Sequence, residues 1–397
     1  MRFKPDTKAL TALLGLLTAM SPLATDIYLP SLPVMVAEFH VGPEAGQLTL
    51  SAFLFGFAVA QLIYGPLGDR FGRRPVLMAG LCLFVVASLA CAFSPSIEWL
   101  TVGRFVQALG GAGPVVLARA VVRDLYSGPR AGRELALMGM VMGVVPAIAP
   151  ILGAGLEIAF GWRSSFIAMF VFGAIGLVLV WNALPETLHT RAHRFDGPLD
   201  MARGYVVLLR HRGFVAHVLL LSIAYGGLFA WISASSFVLQ GIYGLSETGF
   251  AAAFTVGVAG FVAGSFLSSR LVVRLGLGRT LGVGCLFLLA GGLSMLACVL
   301  IGFGHPAEVV GPMMIYLAGI GLVMPQGMAA ALQPFPDRAG AASSLVGFVQ
   351  MSFAAVFGLG VGQNLESSSL PLACAIAGLG VTAALIHALT KRVRALA

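Results

Sequence analysis

Asp26 stands inside an apolar run, in the string Thr25, Asp26, Tyr28, Pro30, Pro33. A carboxylate within a membrane-length apolar stretch costs about 2.5–3.5 kcal/mol even on the most forgiving insertion scale. Protonation relieves much of that cost, which suits the position to binding and releasing a proton. Pro30 sharpens the case, because a proline ring in a helix clashes with the carbonyl four residues earlier, here that of Asp26 itself. Two roles stay open: a carboxylate that titrates, or one paired structurally with an arginine. Arg104 is the candidate partner, in an apolar run with Gln107, Gly110 and Gly111. At 1.5 Å per residue the two positions differ in depth by roughly 10 Å, bridgeable by an arginine with water or a helix kink. Enzyme chemistry has no such foothold. No nucleophile–base pair or phosphate loop stands out, the 7 histidines do not cluster, and the 5 cysteines lie in apolar runs without ligand spacing. No cofactor and no metal are expected.

The elements that must hold these residues follow from composition. Hydrophobic residues make up 58% of 397 positions and charged ones 10%, with a mean hydropathy of +0.95. A soluble domain is about half apolar and a quarter charged. Lipid must therefore solvate most of this chain, and in lipid the backbone satisfies its own hydrogen bonds as helices or closed barrels. Apolar runs of about 20 residues fit helices, since barrel strands would be about 10 and alternating. The fold class is all-α, a polytopic membrane protein. Twelve spans are predicted near 9–37, 47–67, 75–93, 98–124, 134–157 and 164–184, then 214–240, 247–272, 280–303, 308–332, 339–363 and 370–390. The first run is too long and proline-rich for a signal peptide and is expected to be retained. A polar segment at 185–213, with an apolar stretch at 205–209, divides a half at 1–184 from a half at 214–397. It suits a linker on the membrane surface, partly an interfacial helix.

The net charge of +8 is a matter of topology. With the N-terminus inside, all of the 24 Lys and Arg residues fall on the inner side except Arg163, in an outer loop, and Arg104 and Arg119, within a span. Glu38, Glu44, Glu98, Glu157, Glu247, Glu308 and Glu366 mark the outer loops. This asymmetry puts both termini in the cytoplasm and leaves no call for nucleic acid.

Between the second and third spans lie Gly65, Asp69, Arg70, Gly72, Arg73 and Arg74, a short basic loop with an acid at its centre. After the eighth span Arg274 and Gly276 repeat Arg70 and Gly72 at the same offset, with Val273 where Asp69 would stand. The loop closely resembles the signature between the second and third helices of the major facilitator superfamily of secondary transporters. That resemblance implies two parallel six-helix halves with the substrate path between them. Arg104, Gln107 and Gly110 resemble the superfamily's helix-four motif, whose arginine is implicated in proton coupling. The family pattern also implies a pair between Arg73 and Asp124, worth about 1 kcal/mol or less as a static bridge and of use as a bistable latch. Gly139, Gly143, Pro146, Pro150 and Gly153 form one helix stripe of small and kinking residues suited to close backbone approach. They are similar to the antiporter motif of proton-driven drug exporters, with Ala149 and Ala154 replacing two of its glycines. The strings 26–33 and 118–126 look like the Bcr/CflA branch, which exports bicyclomycin- and phenicol-type antibiotics. Several such exporters carry a second acid eight residues before the aspartate, where this chain has Thr18.

The function expected from these readings is proton-coupled export of small, mostly apolar drug-like compounds across a bacterial inner membrane by a monomer, with protons and the lipid bilayer as its other partners. A sugar or metabolite importer is a weaker alternative, because the spans offer few polar groups for hydroxyls. A receptor or scaffold without transport would need neither Asp26 nor Arg104 nor two homologous halves. Candidate substrate contacts are Tyr28, Phe55, Phe57, Gln61, Tyr225, Phe229, Trp231, Phe237, Gln326 and Gln350, although aromatics at helical spacing are more often core.

Overall fold

The computed structural model describes residues 7–126, 128–188, 198–335, 339–362 and 368–390. Every regular element among them is helical: α1 Lys8–Asp26, α2 Leu32–Glu38, α3 Pro43–Phe71, α4 Arg73–Ala92, α5 Ile97–Leu125, α6 Gly128–Phe160 and α7 Arg163–Ala183. Then come α8 Pro198–Arg210, α9 Arg212–Ser236, α10 Glu247–Leu275, α11 Leu277–Ile301, α12 Ala307–Leu332, α13 Ala339–Gly362 and α14 Leu370–Leu389. Among the described residues 12 spans are long and apolar enough to cross a membrane. Their outward faces carry side chains such as Val86, Trp181, Phe266 and Leu286, all more than 60% exposed, the signature of a surface solvated by lipid rather than water.

By packing, Met1–Phe39 and Ala52–Phe195 make one compact unit, and His40–Ser51 with Asp196–Ala397 make a second. In the first, α4 packs on α5 and α7, while α1 packs on α5, α6 and α7. In the second, α11 packs on α12 and α14, while α9 packs on α12, α13 and α14. These five pairings recur in the same order in the two units. Small residues let the backbones approach in both. A Cβ on Gly110 would lie 2.4 Å from the Phe84 nitrogen, and one on Gly291 would lie 2.5 Å from that of Tyr316.

Three details of these helices bear on the expectations. The first span, Lys8–Glu38, carries the break that Pro30 leads one to expect: α1 ends at Asp26, a 3-10 turn covers Leu29–Ser31, and α2 resumes at Leu32. The basic segment 65–74 is not a loop. Residues up to Phe71 complete α3 and Arg73 already opens α4, so Gly72 alone makes the break, at φ +102°. A polar stretch looks like a loop in sequence, yet a helix end emerging from lipid stays helical while turning polar. Gly276 repeats the device between α10 and α11 at φ +76°, a backbone angle that favours glycine. Finally, α8 extends over Pro198–Arg210 and takes in the apolar stretch at 205–209, with Leu208 buried and Val206, Val207 and Leu209 exposed. The rest of the linker at 189–197, and the basic residues within 1–6, 189–197, 336–338 and 391–397, lie outside the described residues.

Candidate functional site

Asp26 is the last residue of α1, beside the 3-10 break, and is 1% exposed. Its Oδ1 finds no hydrogen-bond partner among the protein groups. The neighbouring Thr25 hydroxyl donates back to the Ser21 and Pro22 carbonyls at 3.3 and 2.9 Å.

Arg104 is fully buried in α5. Its Nη1 donates to Gln107 Oε1 at 2.6 Å, and Gln107 Nε2 in turn donates to Ser88 Oγ at 2.7 Å on α4 and to Met169 Sδ at 3.3 Å on α7. The guanidinium carbon sits 4.4 Å from the Tyr28 ring centroid, 4.2 Å from Phe53 and 5.9 Å from Phe166. Each desolvated cation–π contact of this kind contributes about 2 kcal/mol. Nε and Nη2 remain without a partner. Arg104 and Asp26 interact through charge but make no ion pair within 4.0 Å. The reason lies in the break. It carries Tyr28 to the arginine, and the aromatic faces hold the guanidinium in place of a carboxylate.

The helix with the small-residue stripe closes on the same point. A Cβ on Gly153 would lie 1.7 Å from the Ile27 carbonyl oxygen, so α6 touches backbone on backbone one residue past Asp26. Pro146 and Pro150 lie within α6, Ala149 and Ala154 are buried, and Gly143 is half-buried. The surroundings of Gly139 lie outside the described residues.

A second constellation lies at the side of the bundle on which α1 begins. Arg73 Nη1 meets Asp69 Oδ1 at 2.6 Å and its Nε meets Asp124 Oδ2 at 2.9 Å. Thr187 adds its hydroxyl to Asp124 at 3.2 Å. Glu186 was not anticipated as a site residue. Its carboxylate accepts the backbone N–H groups of Arg73 at 2.9 Å and Arg74 at 3.2 Å, two of the open donors at the start of α4. A Cβ at Gly72 would fall 2.5 Å from Glu186 Oε2, so the glycine also makes room for the carboxylate. Arg74 donates to the Trp181 carbonyl at 2.6 Å, whereas Arg70 lies over Phe71 at 5.1 Å. Gly65 has nothing near its missing side chain. The signal for Glu186 was an acid placed directly after Pro185 at a helix end.

At the opposite side of this unit Glu38 accepts from Trp162 Nε1 at 2.8 Å and pairs with Arg163 at 2.7 Å. In the second unit Tyr243, at the end of the corresponding first span, donates to Glu308 and contacts Ser369 at 3.1 Å. Burial, then the bond to Glu308, pushes the Tyr243 hydroxyl up to about 12, so it stays protonated and a donor.

The candidate substrate contacts divide. Tyr28, buried against Arg104, belongs to the site of Asp26. Phe57 is buried, Gln61 half-buried, and Phe55 half-exposed. In the second unit Tyr225 and Phe229 pack ring to ring at 4.9 Å, Trp231 stacks with Phe254, and Phe237 is buried. Gln326 donates to Ser268 at 2.9 Å and Gln350 to Met324 Sδ at 3.6 Å.

The chain resembles known proteins in sequence and in fold. The chain is 31% identical over 360 residues to the Bicyclomycin resistance protein homolog of Haemophilus influenzae, covering 90% of each. It is 29% identical over 341 residues to Multidrug resistance protein D of Escherichia coli, covering 86% of this chain and 85% of that one. Among solved structures, the partially occluded inward-open xylose transporter XylE of E. coli superposes with a TM-score of 0.73 over 97% of both chains at 15% identity. A POT family transporter does so with a TM-score of 0.76 over 96% of this chain and 95% of that one at 14% identity. Residues 14–359 match the Major Facilitator Superfamily as a family, and the chain belongs to it.

Proposed function

We propose that this transporter exports small, mostly apolar drug-like compounds in exchange for protons, with Asp26 as the proton site and Arg104 as the fixed positive charge beside it. The observation that carries the reading is a buried carboxylate oxygen without a protein partner, at a break in α1, near a guanidinium that also keeps two N–H groups unpartnered. A carboxylate serving only to neutralise Arg104 would sit in contact with it. This one does not, and so it remains available to a proton. The names of the curated relatives, bicyclomycin and multidrug resistance proteins, support drug export as the direction of transport.

In this reading the protein lies in the bacterial inner membrane as a monomer with both termini in the cytoplasm. Asp69, Arg73 and Asp124 act as a latch whose contacts are made in one access state and broken in the other. One proton entering from outside displaces one drug molecule. The test is efflux from vesicles with and without an imposed pH gradient, for the natural chain and for Asp26→Asn. The substitution keeps the size of the side chain and removes its titration. Gradient-driven export that disappears in the variant, at equal thermal stability, supports the reading; equal export by both sinks Asp26 as the coupling group.

A further inference from the structure

We propose that the Tyr316 hydroxyl and the Trp231 indole N–H form a two-donor subsite, within the second unit, for neutral substrates that carry hydrogen-bond acceptors on an apolar body. The proposal rests on the export reading and adds a substrate class to it. Tyr316 of α12 and Trp231 of α9 are 0% and 1% exposed. Neither Tyr316 Oη nor Trp231 Nε1 has a hydrogen-bond partner among the protein groups. Buried donors are costly to leave unpaired, and native structures rarely do so without a reason.

The same helix shows the contrast. On α9, Ser222 donates to the Val218 carbonyl at 2.7 Å, Ser233 to Gly358 at 3.2 Å and Ser235 to Ile232 at 3.2 Å. The helix thus satisfies these hydroxyls but not its indole.

Geometry puts the two donors on one face of α9. A Cβ on Gly227 would lie 2.1 Å from Tyr316 Oη, so the phenol tip reaches the α9 backbone only because residue 227 has no side chain. Gly227 precedes Trp231 by four residues, and positions so spaced are neighbours on one helix face. The tyrosine hydroxyl therefore meets α9 one helical turn before the tryptophan. The Trp231 ring stacks with Phe254 at 6.4 Å and an interplanar angle of 17°, which supplies an apolar wall. Charge argues for a neutral ligand. Between Arg212 and Ser236 on α9, beyond Glu308 on α12, and between Glu247 and Arg270 on α10, no Asp, Glu, Lys or Arg occurs.

Calorimetric titration of the purified full chain in detergent tests this, with two probes. Chloramphenicol is neutral and carries amide and nitro acceptors; tetraphenylphosphonium is a cation with none. Tyr316→Phe keeps the ring and removes the donor, and Trp231→Phe does the same with some loss of volume. Each should weaken chloramphenicol roughly fivefold to tenfold and leave tetraphenylphosphonium within about twofold. The Tyr316→Phe protein should also unfold at the same or a higher temperature, because it no longer buries an unpaired hydroxyl. Unchanged chloramphenicol affinity in Tyr316→Phe overturns the subsite, as does equal weakening of both probes, and this single variant decides the matter if Trp231→Phe fails to fold. If the natural chain exports drug on a pH gradient and the variant binds as well as it does, the subsite alone fails. If the natural chain binds neither probe, the export reading fails with it.

Discussion

Substituting Gly153 by alanine places a methyl group where the backbone of α1 already stands. Built without relaxation, its Cβ would be 1.7 Å from the Ile27 carbonyl oxygen and 2.8 Å from the carbonyl carbon, whereas real contacts stay above 3.0 Å. The segment after Asp26 must therefore retreat by about 1.3 Å, or α6 must, and neither is the tip of a flexible side chain. Overpacking of this sort costs about 1–3 kcal/mol. Alanine returns roughly 0.8–1 kcal/mol of helix propensity over glycine, so the net loss of stability is small, about 0–2 kcal/mol. Function should suffer more than stability, because the displaced group adjoins Asp26. Strain of 1–3 kcal/mol falling on one of two conformations shifts their balance by about 5–150-fold.

Gly155 provides the control within the same helix, since nothing lies within 4 Å of its missing Cβ. Thermal unfolding in detergent and pH-gradient-driven efflux from vesicles, measured on Gly153→Ala and Gly155→Ala side by side, separate the two effects. Gly155→Ala should match the natural chain or be slightly more stable. Gly153→Ala should lose most of its exchange with only modest loss of stability. Equal, undiminished transport by the two variants would refute the close approach of α6 as a functional contact.

Other outcomes follow from the same geometry. Asp124→Asn should lower the unfolding temperature more than Asp69→Asn, because Asp124 and Arg73 are only 16% and 8% exposed at the side chain whereas Asp69 is 53% exposed, and exposed bridges contribute little; the reverse order would contradict this account of the pair. Glu186→Gln should cost about 0.3–1 kcal/mol through the loss of charge at the start of α4, read as a lower unfolding temperature that shrinks at high salt. Arg104→Lys should abolish exchange despite keeping the charge, since an ammonium neither stacks on Tyr28 and Phe53 nor reproduces the planar donor set; activity close to that of the natural chain would discount the aromatic clamp. With Thr18 in place of a second acid, one proton per neutral drug makes export electrogenic, worth about 2.3 kcal/mol per 100 mV. Reconstituted vesicles under a potassium–valinomycin potential check this, and voltage-independent movement of a neutral drug would exclude the one-proton cycle.

What could be read in advance was whatever is improbable in lipid. Asp26, Arg104 and the prolines stand out because apolar runs exclude them by default, and the span ends followed from the same contrast. The clamp around Arg104 was hidden for the converse reason: Phe53 and Phe166 in apolar runs look like any other core residue. Tyr28, marked as a candidate substrate contact, also lies against the arginine. Glu186 was hidden by distance along the chain, since its partners at Arg73 and Arg74 lie 113 and 112 residues away. The segment 65–74 was recognisable as a motif, yet its helical geometry was not, because polarity and loop character coincide in soluble proteins and part company where a helix leaves the bilayer.

The repeat of that segment separates what builds the turn from what else the charges do. Gly72 and Gly276 each interrupt a helix for a single residue at positive φ, +102° and +76°, and a new helix starts immediately after each. At the position of Asp69 the second unit has Val273, which is 85% exposed and bonds to nothing charged. The break forms there all the same. Glycine is thus sufficient for the turn in this fold, and the acid is not needed to make it. Asp69 and its contact with Arg73 must then be retained in the first unit for some other purpose, and a contact half-open to water is too weak to be justified by static stability alone. A charge pair that adds little to one conformation can still decide between two of nearly equal energy. On this argument the proposed latch would act through the difference it makes between access states rather than through static stability.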